Sequence, residues 1–410
     1  MYDRRKFLKT SLLTATGAGL ISKSFPQSIS INESEKKDNK IIYRTLGKTG
    51  ISLPVVSMGT GNTNNPNLVS SALEKGVKLL ATGAAYQNGN NEKMVGSVIK
   101  DKSRDSFIIM TSSVDISWLD TQTGVFKDSF DSKAFMQAVD GSLKRLEVDY
   151  VDIFTQPFAA TKESVFYGPA RKAMETVKKE GKAKYLGIAT HRLEYEAIRA
   201  AVDVGIYDVI MTAYNFRGRG WKSMQNREEL EDAIQYAAES GLGIIAMKTM
   251  AGAFWDKERT KPINATAALK WVLKNENVHT TVPDCSTYDQ LNQDLAVMAN
   301  PELTEEEKQD LKPPSEELSS GLYCQQCNQC ISQCPESIDI PTIMRSYMYA
   351  YGYKNLDFAL ETLCSTGLRS FPCSDCSDCN VKCLMGFDVR SKILDIARLQ
   401  DIPKDFIRQF

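Results

Sequence analysis

Between residues 41 and 300 the sequence alternates short apolar runs of β type with amphipathic stretches of helical period. The runs fall at 55–59, 79–83, 107–112, 151–156, 185–190, 209–214, 243–248 and 280–283, with helical stretches between them, for example 132–146, 193–204, 227–240 and 265–274. Strands separated by whole helices cannot pair as tight hairpins. They must lie parallel, with the helices covering the sheet. Eight such units in about 250 residues match an α/β fold of the (β/α)8 TIM-barrel type, which carries its functional groups at the C-terminal ends of the strands. An open, doubly wound sheet is the alternative, but Met58-Gly59-Thr60-Gly61-Asn62 after the first run lacks the full G-x-G-x-x-G turn.

A second constraint lies near the C-terminus, where eight of ten cysteines form two runs of the same spacing. Cys324-x2-Cys327-x2-Cys330-x3-Cys334 is followed by Pro335, and Cys373-x2-Cys376-x2-Cys379-x3-Cys383 by Leu384. Two-residue gaps let three thiolates wrap one face of a 4Fe-4S cube, while the fourth departs toward a second cluster. The expected ligation therefore crosses over, as in two-cluster ferredoxins. One cluster takes Cys324, Cys327, Cys330 and Cys383; the other takes Cys373, Cys376, Cys379 and Cys334. Zinc would favour separated cysteine pairs or added histidine, and the chain has only two histidines, both remote. Disulfides are the other rival. Ile343, Met344, Tyr347, Met348 and Tyr351 recur at helical spacing between the runs, so the module should be mostly helical. Cys285 and Cys364 fall outside both runs and read as ordinary buried thiols.

At the other end, Asp3-Arg4-Arg5-Lys6-Phe7-Leu8-Lys9 precedes the small, apolar stretch 12–21, the pattern of a twin-arginine export signal. A basic arm followed by a short buried helix is the blander reading. Export implies a periplasmic or other extracytoplasmic location. It also agrees with the cysteines, because a cluster inserted in the cytoplasm requires export of a folded chain. No apolar run is long enough to span a membrane. Fifty Lys and Arg against 51 Asp and Glu leave no net field for nucleic acid. The resulting organisation is a signal (1–30), a charged linker (31–42), the barrel (43–300), a charged connector (301–321), the cysteine module (322–395) and a tail (396–410).

The barrel segment also carries a resemblance. Arg44-Thr45-Leu46-Gly47-Lys48-Thr49-Gly50, with Met58-Gly59 after it, closely resembles the opening of aldo-keto reductases. Further similar segments follow in order: Ala84-Ala85-Tyr86 with Gly89, Asn91-Glu92 and Gly96; Val151 to Phe154; Gly187 to His191; Ala213-Tyr214-Asn215; and Ala246-Met247-Lys248. The cysteine module resembles that of a subgroup with a two-cluster ferredoxin tail. The family reduces carbonyls with NADPH, using a tyrosine acid supported by Asp, Lys and His. Tyr86 matches the tyrosine, but the other three positions fall on Ala81, Ser112 and Pro157. The nucleotide end departs as well. The family's Pro-Gly turn reads Pro283-Asp284, and its Glu-Asn pair falls on Gln293-Asp294, placing two carboxylates where a phosphate would bind.

What is left at the expected mouth is Tyr86 and His191 as catalytic candidates, with Gln156, Tyr214, Asn215 and Lys248 as cofactor-binding candidates. His279 reads as structural. Two 4Fe-4S clusters are the expected cofactors, and NADP(H) is a doubtful one. The leading reading is an exported iron–sulfur oxidoreductase-like protein that passes electrons between the clusters, a redox partner protein or small-molecule substrate, and a site at the barrel mouth. An inactive barrel serving as a binding or electron-transfer subunit, and an NADPH-dependent carbonyl reductase, are the alternatives.

Overall fold

The computed structural model describes residues 40–407, apart from 114–117, 119, 121–124, 157–161, 191–192, 218–226, 256–260, 313–323, 325–326, 352–355, 377–378 and 384. The export-type segment, His191 and Pro157 lie outside the described residues.

The described chain opens with an antiparallel hairpin that the sequence reading did not anticipate. Its strands are β1 (Tyr43–Thr45) and β2 (Ser52–Pro54), with Tyr43 opposite Pro54. The expected alternation then follows: β3 (Met58–Gly59), α1 (Pro66–Glu74), β4 (Leu79–Ala81), α2 (Asn90–Ile99), β5 (Ile108–Thr111), α3 (Ser132–Leu146) and β6 (Val151–Gln156). It continues with α4 (Lys162–Phe166), α5 (Gly168–Lys179), β7 (Ala183–Thr190), α6 (Glu194–Val204), β8 (Val209–Ala213), α7 (Arg227–Glu239), β9 (Gly243–Met247), α8 (Ala265–Leu273), β10 (Thr280–Thr281) and α9 (Tyr288–Ala296). Strands β3 to β10 pair in chain order, every pair parallel. Parallel bridges from Val56 to Thr281 and from Gly59 to Asp284 join the two edges, so the sheet closes into a barrel.

The strands sort their side chains with a period of two. Ile109, Phe154, Ile210 and Ile244 face the helical layer, whereas their neighbours Met110, Ile153, Val209 and Ile245 fill the barrel interior. Both faces of a covered parallel sheet are buried, which is why these runs read as continuously apolar. The hairpin joins the interior cluster through Leu46 and Leu53. Gly47 makes this fit possible. It adopts φ +51°, and a Cβ there would lie 2.5 Å from the Gly241 carbonyl oxygen. Phe154 is fully buried and meets Phe135 of α3 edge-on at 6.0 Å. Phe154→Ala removes a large ring that has nowhere to be replaced from, so chemical denaturation should register a loss of about 3–5 kcal/mol. A loss below about 1 kcal/mol would mean that the sheet–helix layer is not closely packed.

The connector is not featureless. It contains α10 (Glu305–Asp310), started by a reciprocal capping box between Thr304 and Glu307, and Glu307 reaches the largely buried Lys270 of α8 at 2.7 Å. Beyond it come α11 (Ile340–Tyr351), α12 (Leu356–Cys364), α13 (Val389–Ala397) and α14 (Lys404–Ile407), which share a separate apolar core. Leu399 and Ile407 are buried in that core, so the last residues described belong to the module rather than forming a tail outside it. Cys285 is buried as expected, but Cys364 is exposed at the end of α12. Among the described residues no helix is long and apolar enough to cross a membrane.

Candidate functional site

Tyr86 follows β4 and begins a short turn (Tyr86–Gly89) at the C-terminal face of the barrel. Gln87 and Asn88, just after it, take left-handed φ values of 50° and 54°, and Lys248 at the end of β9 does the same at 55°. Such conformations cost of order 1–3 kcal/mol each and persist only where the surroundings impose them. For the Tyr86 turn the surroundings are identifiable. Asn91 accepts hydrogen bonds from the Thr60 and Thr82 hydroxyls, both at 2.7 Å, and donates to the Thr60 and Thr63 carbonyls, lacing the ends of β3 and β4 together. Glu92, fully buried, accepts from Arg145 Nε at 2.7 Å and from the Thr111 hydroxyl at 2.6 Å. These two residues of the family-like segment thus serve as framework.

The Tyr86 ring and the Ser112 hydroxyl both flank Gly83, so the tyrosine and lysine positions implied by the resemblance lie around the same glycine, with serine in the lysine's place. The phenol is pushed up from its ordinary pKa, first by burial and then by Asp284 and Tyr349. It is a proton holder at neutral pH. Asp284 accepts backbone hydrogen bonds from Gly61 and Asn62. Asp294 is buried in α9, and burial pushes its carboxyl up to about 7.

The other mouth candidates divide. Gln156 ends β6 but is buried with both halves of its amide engaged: it accepts from the Tyr207 hydroxyl at 2.5 Å and donates to the Ser164 carbonyl at 3.1 Å. Tyr214 turns into the helical layer, its ring 5.1 Å from that of Trp271 in α8 and its hydroxyl donating to Glu231 of α7 at 2.8 Å. Asn215 is buried, and among the described residues its Oδ1 has no hydrogen-bond partner. Lys248 is half-buried. His279 is structural, its Nδ1 accepting the Ile244 N–H at 2.9 Å.

Sequence reasoning missed the arrangement of the cysteine module beside this mouth. Asn88 donates to Asp357 of α12 at 3.2 Å, and Tyr349 of α11 lies close enough to raise the Tyr86 pKa. The helical period selected Ile343, Met344, Tyr347, Met348 and Tyr351, yet Arg345, Ser346 and Tyr349 are buried while Tyr351 is exposed. A helix packed on more than one side has no single apolar stripe. The signal in hindsight is a polar residue pair, Arg345-Ser346, at positions a one-sided helix would leave in water.

The eight cysteines gather into two sets. Cys324, Cys327, Cys330 and Cys383 line one cavity, walled by Met344, Met385 and Phe387. Cys334, Cys373, Cys376 and Cys379 line a second, against Ile338 and Ile393. In each set three thiols come from one run and the fourth from the other. Asn328, at φ 65°, makes the left-handed turn between Cys327 and Cys330. Burial and the three neighbouring thiols push Cys330 up to about 12. Among the described residues no three His, Cys, Asp or Glu side chains converge as one metal ion requires. The all-sulfur donor sets with apolar walls fit the chemistry of an iron–sulfur cube.

A closed parallel barrel with its polar groups at the C-terminal face defines the class. A sequence profile described as the aldo/keto reductase family matches residues 60–267, and the chain belongs to that family. It is similar to the uncharacterized oxidoreductase YqkF of Bacillus subtilis, with 24% identity over 294 residues, 66% of this chain and 94% of that protein. L-galactose dehydrogenase of Arabidopsis thaliana is 27% identical over 230 residues, covering 52% and 66% of the two chains. Among solved structures, the holo form of aldo-keto reductase AKR11C1 from Bacillus halodurans superposes with a TM-score of 0.52 at 22% identity, over 66% of this chain and 95% of that one.

Proposed function

We propose that the chain is an exported, two-cluster iron–sulfur oxidoreductase-like protein in which ordinary NADPH-dependent carbonyl reduction has been lost from the barrel. The clusters pass single electrons between an external redox partner and the barrel mouth. The observation that carries this reading is the grouping of the cysteines into two crossed sets of four. Bound there, 4Fe-4S cubes supply one-electron chemistry at potentials tuned by surrounding charge and solvent. The chain's own residues hold the cubes with eight thiolates, keep Tyr86 protonated, and bring α11 and α12 to the Tyr86 turn. Loss of nucleotide chemistry is supported by Ser112 near Tyr86, by Asp284 in place of the glycine that the resemblance calls for, and by the internal engagement of Gln156 and Tyr214. Export rests on the Arg4-Arg5 segment alone.

Titration of anaerobically purified, cluster-loaded protein with NADPH and NADH, following nucleotide fluorescence and cluster absorbance together, tests the reading. The expected result is no nucleotide binding, with clusters that dithionite reduces. Tight NADPH binding that bleaches the clusters would restore the carbonyl-reductase reading. Absence of iron and acid-labile sulfide would remove the cluster reading altogether.

A further inference from the structure

The two sulfur-lined cavities differ in the charge fixed against them. Arg390, on the first turn of α13, lines the cavity of Cys334, Cys373, Cys376 and Cys379, and its Nε donates to the Cys373 carbonyl at 3.0 Å. It is half-buried, and among the described residues it has no ion-pair partner. The other cavity has Lys382 on its lining, but that side chain is exposed and therefore hydrated and screened. Lys392 does not line this cavity; its ammonium lies over the ring of Tyr347 at 4.1 Å and over that of Phe387, a lining residue, at 5.5 Å.

Reduction adds one negative charge to a cluster. A cation held in place beside it stabilises the reduced form, and does so more strongly where protein replaces water. We propose that Arg390 raises the reduction potential of the cluster bound by Cys334, Cys373, Cys376 and Cys379 above that of its neighbour, so that this cluster takes the first electron. The inference rests on the two-cluster reading. It also gives the relay a direction. In the Arg390 set Cys379 is exposed and Cys373 buried, whereas all four thiols of the other set are half-buried. The other cavity is lined by Pro341 and Met344 of α11, the helix that continues to Tyr349 beside Tyr86. With clusters bound, electrons entering from either end would settle on the one beside Arg390.

The test is a potentiometric titration of full-length, cluster-loaded protein with dithionite, read by electron paramagnetic resonance. Arg390→Gln should move one of the two reduction steps negative by at least a tenfold change in equilibrium constant, 59 mV for one electron. The other step should move much less, and Arg390→Lys should retain most of the parent value. Two further proteins keep the test independent of how well Arg390→Gln assembles. Cys327→Ala, left with the Arg390 cluster, should titrate above Cys376→Ala, left with the other. Unchanged potentials in Arg390→Gln, equal shifts of both steps, or the reverse order in the two cysteine variants would each overturn the assignment. Iron and sulfide content separates the two levels: protein carrying both clusters but lacking the shift sinks only the role of Arg390, whereas protein without clusters sinks the reading beneath it.

Discussion

Supplied with NADPH and a panel of aldehydes and ketones, the full-length protein is expected to turn over at least about 10²-fold, and as much as about 10⁴-fold, more slowly than a family member with all four acid–base residues, the range that positioned acid–base groups contribute. The cause lies around Gly83. On one side of it stands Tyr86, and on the other, where the resemblance calls for a lysine, the hydroxyl of Ser112. A phenol needs a cation near it to release its proton at neutral pH. Here burial, Asp284 and Tyr349 all push the other way. Ala81, at the aspartate position, belongs to the apolar cluster inside the barrel and offers nothing to orient a lysine. Ser112→Lys should therefore bring the Tyr86 pKa down, measurable as phenolate absorbance in a pH titration, while leaving carbonyl turnover near background, because Asp284 still stands where the resemblance places a glycine of the nucleotide end. Robust turnover by the unmodified chain, or a 10²-fold rise from Ser112→Lys alone, would contradict this account.

The barrel was legible because its strands are buried on both faces and its helices on one. Six residues of β6 read as an unbroken buried run, and α3 spans the same residues, 132–146, that its period marks out. The hairpin β1–β2 escaped because three-residue strands carry too little pattern, and its sequence was absorbed into the family-like opening. Side-chain direction at strand ends was the least legible. Gln156 and Tyr214 occupy the positions expected of mouth residues, but one amide and one phenol found partners in Tyr207, Ser164 and Glu231, which lie on other elements of the chain. The crossed grouping of the cysteines was legible for a different reason. Two-residue spacing limits which thiols can share one turn, so the odd cysteine of each run is forced outward toward the other.

On the two-cluster proposal, removing the iron is expected to have the largest structural effect of any single change. The module has a modest apolar core, and Ile340, Met344, Met385, Phe387 and Ile393 of that core also line the two cysteine cavities. Where thiolates hold a structural metal, metal binding is folding free energy, about 10–16 kcal/mol for small zinc modules. Even half of that rivals the whole stability of an ordinary domain, about 5–15 kcal/mol. Stripped of iron, the module would have to bury thiols such as Cys330 and Cys373 around a space that nothing fills. A chelated chain, or one carrying Cys330→Ala together with Cys373→Ala, should therefore lose the helical signal of α11–α13 and become protease-sensitive beyond residue 300. The barrel, whose interior and helix-facing clusters contain none of the eight cysteines, should still melt as a cooperative unit. Its transition should shift only modestly, because Asn88–Asp357 and the packing of α12 on the Tyr86 turn are lost with the module. A single unchanged transition with intact protease resistance would mean that the two cavities are filled by side-chain packing alone, and the module would then need no metal to fold.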